Sequence, residues 1–305
     1  MTTPELSIQL YTVNDQLVAD PDETLARLAG MGIRQVEAYA FVDRADALAE
    51  AFGRHGLQAK TGHAALLSDE LRFGDNVVPV PSHEEVFTAA KTLGLEIVID
   101  PFVALDRWLD ADQIAATARR LNAAAEEAAD HGLRVGYHNH SQEFTATIDG
   151  VSGFEWFAEQ LSDDVTLEVD VFWAATAGSD VAALLSRLGD RVKALHVKDG
   201  VVGINPFTPD SAPLDKSALD QRSAGHGGER GVFQPEARHE RLEGAASFKM
   251  SVLGFKHVEA QIAFAQAITG RIDKAELRLD VDEPADKPCA GNAVHLDAAP
   301  RDPSR

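Results

Sequence analysis

The stretches LRVGYHNHSQEF (133–144), TLEVDVFW (166–173) and ALHVKDG (194–200) decide the fold. Each begins with an apolar run that is too short, and too rich in β-branched or aliphatic residues, for a separate helix, which predicts a buried parallel strand. Each run ends in a group of ionisable residues. In a barrel of parallel strands, side chains at the carboxyl ends converge on one mouth although they lie far apart in sequence. We therefore expect a functional site built from these strand ends.

A helix-to-strand junction of one composition occurs four times before residue 134. At each junction a glycine follows a helical pattern, Leu or Ile comes next, and a strand-like run begins within a few residues; the glycines are Gly32, Gly56, Gly94 and Gly132. Glycine readily takes the left-handed conformation that ends helices. Four copies of one junction predict repeated βα units and hence a parallel sheet.

The segments between these junctions fit the same pattern. Residues 7–13 (SIQLYTV) are rich in β-forming side chains and predict the first strand. Residues 20–23 (DPDE) place a capping residue before a proline, with Glu three positions after the cap, and predict the start of a helix that stops at Gly32. Residues 112–131 are rich in alanine and long polar side chains, which predicts another helix.

Glycine and polar residues distinguish a closed barrel from an open, doubly wound sheet. A doubly wound nucleotide-binding fold would place a glycine-rich loop after its first strand, but residues 10–21 (LYTVNDQLVADP) contain no glycine. Six predicted strands instead end in polar candidates: Glu37, His63, Asp100, His138, Asp170 and His196. An α/β fold is therefore predicted, a (β/α)8 TIM barrel over residues 1–270.

The eighth unit of this barrel is uncertain. Residues 250–268 (MSVLGFKHVEAQIAFAQAI) are the only good candidate for a last strand and helix. Residues 271–305 form a polar tail that we expect to be largely disordered.

Composition argues against several classes of partner. The chain carries 49 acidic and 28 basic residues, a net charge of −21, whereas nucleic-acid binding needs clustered Lys and Arg. No window approaches the roughly 20 apolar residues of a membrane span, and the N-terminal sequence lacks the basic lead and apolar run of a signal peptide. Cys289 is the single cysteine, so neither a disulfide nor a cysteine zinc site is expected. We expect a cytoplasmic protein; a homodimer is one option for its oligomeric state.

Three motifs, YHNHSQEF (137–144), LEVDVFW (167–173) and LHVKDG (195–200), give the chain a family resemblance. It resembles the sugar phosphate isomerase/epimerase family of xylose isomerase-like TIM barrels, which includes inosose dehydratases and 3-keto-sugar epimerases, over roughly residues 5–220. The resemblance implies one divalent metal ion, Mn²⁺, Co²⁺ or Mg²⁺, held by a Glu-Asp-His-Glu set at the ends of the later strands. It implies Asp170 as the second ligand and His196 as the third.

The other two ligands depart from the family pattern. Glu143 is the nearest carboxylate after the fifth strand, while His138 stands where relatives often carry Glu. The fourth ligand should be a Glu within a pattern like V-x-E-x-D, and the closest match is Glu259 in KHVEAQ. Because the family-like sequence stops near Ala224, a shifted reading frame or a replaced C-terminus is a hypothesis. Translating the other frames downstream of codon 220 would test it.

The residue types at the strand ends, considered without the resemblance, also suit a metal site. Carboxylate and imidazole ligands suit a divalent ion with open positions. Such an ion can hold a carbonyl and the adjacent hydroxyl and stabilise the enediolate formed when a base removes the proton between them. Return of the proton on the opposite face gives epimerisation or isomerisation. Glu143 and Lys198 are the candidate proton carriers, and the candidate substrate-binding residues are Glu37, His63, His138, His140 and Trp173.

Structural roles compete with these functional ones. An aspartate at the end of a strand is commonly the cap of the next helix, which applies to Asp170. Asp100 precedes a proline and is expected to be a turn residue. Because side chains alternate along a strand, either His138 or His140 is expected to face away from the mouth. Lys198 can form an ion pair with Asp199 at the rim.

The sequence therefore predicts a metal-dependent isomerase or epimerase of a small sugar or keto-sugar. An unphosphorylated substrate is favoured, because the only basic residues expected near the mouth are Lys60 and Lys198. The nearest alternative is a lyase or dehydratase acting on a keto-sugar or inosose. A further alternative is a non-catalytic barrel with a degenerate metal site. A DNA-repair endonuclease is disfavoured by the negative charge and by too few histidines for a three-metal cluster.

Overall fold

Parallel strands form the wall of a barrel in the computed structural model, which describes residues 5–73, 76–198 and 249–253. Each of the strands β1 to β6 pairs in parallel with the strand numbered after it, so that β1 to β7 form one parallel sheet. Their bounds are β1 Glu5–Gln9, β2 Gln35–Tyr39, β3 Gln58–His63, β4 Ile97–Asp100, β5 Arg134–His138, β6 Thr166–Asp170 and β7 Val192–Lys198. The predicted α/β barrel is confirmed by this arrangement.

Helices connect these strands, as repeated βα units require. They are α1 Asn14–Ala19, α2 Pro21–Gly30, α3 Ala45–His55, α4 His83–Leu93, α5 Ala111–Asp130, α6 Gly153–Gln160, α7 Val171–Thr176 and α8 Val181–Leu188. Two small hairpins interrupt the repeat, one pairing Glu70–Phe73 with Asn76–Pro79 and one pairing Thr147–Ile148 with Val151–Ser152. None of the described helices is both long and apolar enough to cross a membrane.

The predicted helix boundaries rest on local chemistry and are confirmed. The Asp20 side chain accepts a hydrogen bond from the Glu23 backbone N–H at 3.0 Å, with Pro21 in the first helical position. The four junction glycines, at positions 32, 56, 94 and 132, have φ angles of +88°, +65°, +74° and +72°. Residues with a Cβ are strained in this conformation, which is why glycine stands at each helix end.

The prediction of a first strand over residues 7–13 was wrong at its carboxyl end. Strand β1 stops at Gln9, and Leu10–Val13 form a 3-10 helix. Leu10 and Val13 are both buried in that helix. Packing at the barrel mouth thus overrides the β-propensity of the sequence.

An antiparallel strand, β8 (Lys249–Leu253), closes the barrel between β7 and β1. Its Lys249 lies opposite Lys198 and its Leu253 opposite Glu5, so β8 runs from the mouth towards the amino ends of its neighbours. A strand does lie where residues 250–268 predicted one, but it runs opposite to a (β/α)8 unit. The predicted last helix and the tail at residues 271–305 lie outside the described residues.

The two faces of the barrel wall differ in polarity. Alternate strand residues point outwards into the core beneath the helices, among them Val36, Val98, Val135, Leu167 and Leu195. The residues between them point into the barrel. The buried polar residues of the strands include Ser7, Gln9, Glu37, Thr61, His63, His138, Thr166, Glu168, Asp170 and His196. The barrel interior is therefore polar and ionisable.

Close strand packing makes Gly136 of β5 a sensitive position. A Cβ atom there would lie 2.9 Å from Thr166 Oγ1 and 3.0 Å from the Thr166 backbone oxygen. We expect Gly136→Ala to lower the free energy of unfolding by about 1–3 kcal/mol, measured by urea denaturation. Gly53→Ala, in helix α3 with no atom within 4 Å of the new Cβ, should instead raise it by about 0.5–1 kcal/mol. Equal effects of the two substitutions would contradict this packing.

Candidate metal centre

Strand register brings the ionisable side chains of the barrel interior together. Glu168, in the middle of β6, is the Cα partner of His138, which ends β5. Two residues further along β6, Asp170 is the Cα partner of His196 on β7. His63 reaches the same region from the end of β3. Residues on four strands thus meet near the mouth, as the convergence of strand ends predicts.

Three imidazoles surround a single carboxylate oxygen at this meeting point. Oε2 of Glu168 lies 2.8 Å from His63 Nε2, 3.1 Å from His138 Nδ1 and 3.1 Å from His196 Nε2. One ligand atom from each of these four residues lies within 4.8 Å of the others. We call His63, His138, Glu168 and His196 the His/Glu cluster.

A second buried carboxylate, Glu37 of β2, borders the His/Glu cluster. Its Oε1 lies 2.9 Å from His196 Nε2 and 3.1 Å from His63 Nε2. Its Oε2 accepts a hydrogen bond of 2.6 Å from the Thr61 hydroxyl. Glu37, predicted as a substrate-binding residue, is therefore fully enclosed beside the cluster.

The donor set of the His/Glu cluster fits a divalent metal ion. Imidazole nitrogen and carboxylate oxygen suit Zn²⁺, Co²⁺ and Mn²⁺, and the geometry offers ligands from separate strands. Oε1 of Glu168 is buried and makes no hydrogen bond. Leaving a buried polar atom without a partner costs about 1–3 kcal/mol of stability. A cation bound to this oxygen would remove that cost. The structure therefore supports a metal site here, of unspecified metal.

Charge compensation governs the protonation of the cluster. Burial opposes the charged form of His63, but the carboxylates of Glu37 and Glu168 outweigh it and raise the pKa of His63 to about 10. Burial likewise opposes protonation of His196, and the same carboxylates raise its pKa. Burial disfavours the Glu37 anion, yet His63 and His196 hold the pKa of Glu37 well below its ordinary value. Without a metal ion, the cluster is thus held together by protonated imidazoles.

Asp170 caps a helix with one carboxylate oxygen, and its other oxygen lies near the His/Glu cluster. Its Oδ1 accepts a hydrogen bond from the Trp173 backbone N–H at 3.0 Å, so Asp170 caps helix α7. Its Oδ2 lies 3.6 Å from His138 Nε2. The described ligand group does not include Asp170, and its role as a metal ligand stays a prediction.

Glu143 lies buried in a short helix after β5, held by two donors. Oε1 accepts from the Tyr137 hydroxyl at 2.7 Å, and Oε2 accepts from the His140 backbone N–H at 2.9 Å. Burial is the largest influence on Glu143 and raises its pKa to about 8, although both donors favour the anion. The nearby charge of Asp170 acts in the same direction as burial. Its predicted roles as metal ligand and proton carrier stay predictions.

The half-buried aromatic residues at the mouth include His140 and Trp173. The His140 ring lies 5.1 Å from the His138 ring and 5.8 Å from the Trp173 ring, measured between centroids. Phe102 contacts His140 edge-on at 5.5 Å. Strand β5 ends at His138, so strand alternation does not extend to His140, and both histidines lie at the mouth. Their predicted substrate contacts, and that of Trp173, stay predictions.

Predicted residues at the end of β7 and beyond it lie wholly or partly outside what the structure describes. Glu259 is outside the described residues, as is Asp199 of the proposed rim pair. Lys198 ends β7 at the mouth, but its side chain is outside the described part. Their proposed roles are untested.

Glu168 is the cluster residue that the sequence reasoning missed. It stands two positions before Asp170 in LEVD, and residues two apart share one face of a strand. The alternation of side chains along the strand could therefore have identified Glu168. The predicted candidate on β6 was its last residue, Asp170, whereas Glu168 lies two residues below that end.

A family model described as the xylose isomerase-like TIM barrel matches residues 25–242, which is more than half of the chain. The match extends beyond residue 220, where the motif resemblance ends. No curated protein matches the sequence.

Several solved structures share the fold at low sequence identity. A sugar phosphate isomerase/epimerase from Parabacteroides distasonis is 20% identical, with a TM-score of 0.55 over 74% of this chain and 86% of that one. The probable 3-DHS dehydratase AsbF from Bacillus anthracis is 11% identical, with a TM-score of 0.51 over 73% and 89%. An AP endonuclease, family 2, from Brucella melitensis is 15% identical, with a TM-score of 0.51 over 71% and 86%. At such identities the likeness establishes the fold alone.

The raised pKa values predict how the stability of metal-free protein depends on pH. Folded His63 keeps its proton up to about pH 10, whereas an unfolded histidine loses it near 6.5. The folded state therefore binds more protons in this window, and the free energy of unfolding should fall as pH rises through it. One proton contributes a slope of up to about 1.4 kcal/mol per pH unit. Urea denaturation of chelator-treated protein would measure it.

Glu143 supplies the control for this measurement. Its folded pKa of about 8 also lies above the unfolded value, so its own contribution falls with pH but ends near pH 8. Glu143→Gln should therefore keep the decline between about pH 8 and about 9.5. A flat or rising stability in that interval would contradict the protonated His63.

Proposed function

Because the chain belongs to the xylose isomerase-like TIM barrel family, we propose that it is a divalent-metal-dependent enzyme that isomerises or epimerises a small sugar or keto-sugar. The observation that carries this proposal is the His/Glu cluster near the mouth of the closed barrel. This end of the barrel is where enzymes of this fold place their active sites. The structural likeness to a sugar phosphate isomerase/epimerase agrees with the fold this requires.

Two sets of residues are candidates for holding the metal, and they share His196. The family resemblance implies Glu143, Asp170, His196 and Glu259, whereas the geometry offers His63, His138, Glu168 and His196. We favour the second set, because its ligand atoms already lie within 4.8 Å of one another. A bound divalent ion would supply polarisation of the substrate carbonyl.

The chain's own residues would move the proton. Glu143 is buried, and with a pKa of about 8 its carboxyl group can both lose and accept a proton near neutral pH. Tyr137 and the His140 backbone fix both of its oxygens, which orients the group. Lys198, which ends β7, is the proposed second proton carrier. Such a pair would return the proton on the opposite face from the one that lost it.

The proposed substrate is neutral and rich in hydroxyl groups. The His140 ring can hydrogen-bond to a sugar hydroxyl, and the neighbouring Trp173 ring face can stack on the apolar face of a sugar. Lys60, one of two basic residues expected near the mouth, forms an ion pair of 2.6 Å with Glu5 at the amino end of β1. It is therefore engaged away from the mouth, which supports an unphosphorylated substrate.

Metal analysis tests the proposed site and separates the two ligand sets. We expect purified full-length protein to hold about one Mn²⁺ or Co²⁺ ion per chain by elemental mass spectrometry. His196→Ala should abolish binding, and Glu168→Gln should weaken it by at least about tenfold because a charged ligand is lost. His131→Ala, a histidine in an ion pair with Glu84 on the helix surface, is the matched control and should bind normally. Loss with Asp170→Asn but not Glu168→Gln would instead favour the resemblance set.

Isotope exchange tests the reaction. With metal-loaded protein in D2O, we expect deuterium to enter the carbon beside the carbonyl of a recovered keto-sugar, because the proton is removed and returned. Glu143→Gln should reduce this exchange by about 10²–10⁴-fold. Loss of a β-substituent from the substrate would instead assign the lyase or dehydratase alternative. A metal-free, well-folded protein without exchange would support the non-catalytic barrel.

A further inference from the structure

Gln9 of β1 contacts the His/Glu cluster at Nδ1 of His63. Its side chain is buried in the barrel interior, and its Nε2 lies 2.9 Å from His63 Nδ1. Its Oε1 is also buried and makes no hydrogen bond. Gln9 is the Cα partner of Glu37, so this contact spans from β1 across β2 to β3. A buried amide with one idle oxygen needs an explanation.

The hydrogen bonds that His63 can make explain the unpaired amide oxygen of Gln9. Nε2 of His63 faces Oε2 of Glu168 at 2.8 Å and Oε1 of Glu37 at 3.1 Å, which places Nε2 inside the cluster. A neutral imidazole whose Nε2 binds a metal must carry its hydrogen on Nδ1. Nδ1–H then requires an acceptor, and the NH₂ group of Gln9 that faces it is a donor only.

Rotation of the Gln9 amide by 180° resolves both conditions. It exchanges two groups of nearly equal size and brings Oε1 to the position 2.9 Å from His63 Nδ1. The idle oxygen then accepts the Nδ1–H hydrogen bond. The rotated amide accepts from Nδ1–H both in the metal-binding tautomer of His63 and in the protonated ring of the metal-free protein, since Nδ1 carries a hydrogen in each.

We propose that Gln9 is a positioning residue of the metal centre: its amide oxygen accepts a hydrogen bond from Nδ1–H of His63 and fixes the tautomer that presents Nε2 to the metal. This inference rests on the metal site of the proposed function. A partner of this kind orients the ring and raises its basicity, and its loss typically costs 10–100-fold in metal affinity. A neutral amide does this without adding a third negative charge beside Glu37 and Glu168.

Metal affinity of variants tests this role, with Zn²⁺ as the diamagnetic probe and a chromophoric chelator as competitor. Gln9→Met removes the amide at similar length and should weaken Zn²⁺ binding about 10–100-fold. Gln9→Glu keeps an acceptor and should bind at least as tightly as the wild type. Ser7→Ala removes a buried hydroxyl from the same face of β1, without a hydrogen bond to the cluster, and should change nothing. Circular dichroism would confirm that each variant folds.

The nitrogen signals of His63 give a second readout that needs no substitution. In ¹⁵N spectra of wild-type protein loaded with Zn²⁺, Nδ1 should carry the hydrogen and Nε2 should be the ligand nitrogen. Ligation through Nδ1, or unchanged affinity in Gln9→Met, would overturn the role of Gln9 and leave the metal site standing. A wild-type chain that binds no Zn²⁺ would overturn both, and normal Zn²⁺ binding without isotope exchange would overturn only the proposed reaction.

Discussion

The centre of this barrel depends on the contacts between the Glu168 carboxylate and the three imidazoles that enclose it. The three histidines come from β3, β5 and β7, so one oxygen on β6 connects four strands. Leaving a buried charge unpaired costs about 3–5 kcal/mol. The carboxylates of Glu168 and Glu37 must therefore be balanced by positive charge, which bound protons or a metal ion can provide. Folding, protonation and metal binding are consequently coupled in this protein.

Most of the fold could be predicted because its signals are local. The caps and the four junction glycines act within a few residues, and each predicts its element from sequence alone. The end of β1 and the direction of β8 could not be predicted in this way. Leu10 and Val13 leave the strand because they are buried at the mouth, and β8 pairs with partners far away in the sequence. Contacts of this range are set by the whole barrel and not by propensity.

The sequence predicts which strands supply the candidate site, but not which layer of inward-facing residues forms it. His63, His138 and His196 were identified because they stand at or near the ends of strands, and all three join the cluster. Glu168 was missed because it lies two residues before the strand end, in a second inward-facing layer. Asp170 stands on the same face, yet it also caps helix α7, and sequence alone cannot weigh these roles. Only the register between β5, β6 and β7 decides which layer meets the histidines.

Strand β8 shows that closing a barrel and repeating its unit are separable. Backbone amides and carbonyls can pair with a neighbouring strand of either direction, so β8 satisfies the open sides of both β1 and β7 although it runs antiparallel to them. Neither of those two strands is then left as a free edge, which would otherwise offer a template for pairing between molecules. Reversed closure therefore protects the protein from edge-to-edge association, a benefit that does not depend on what the site binds.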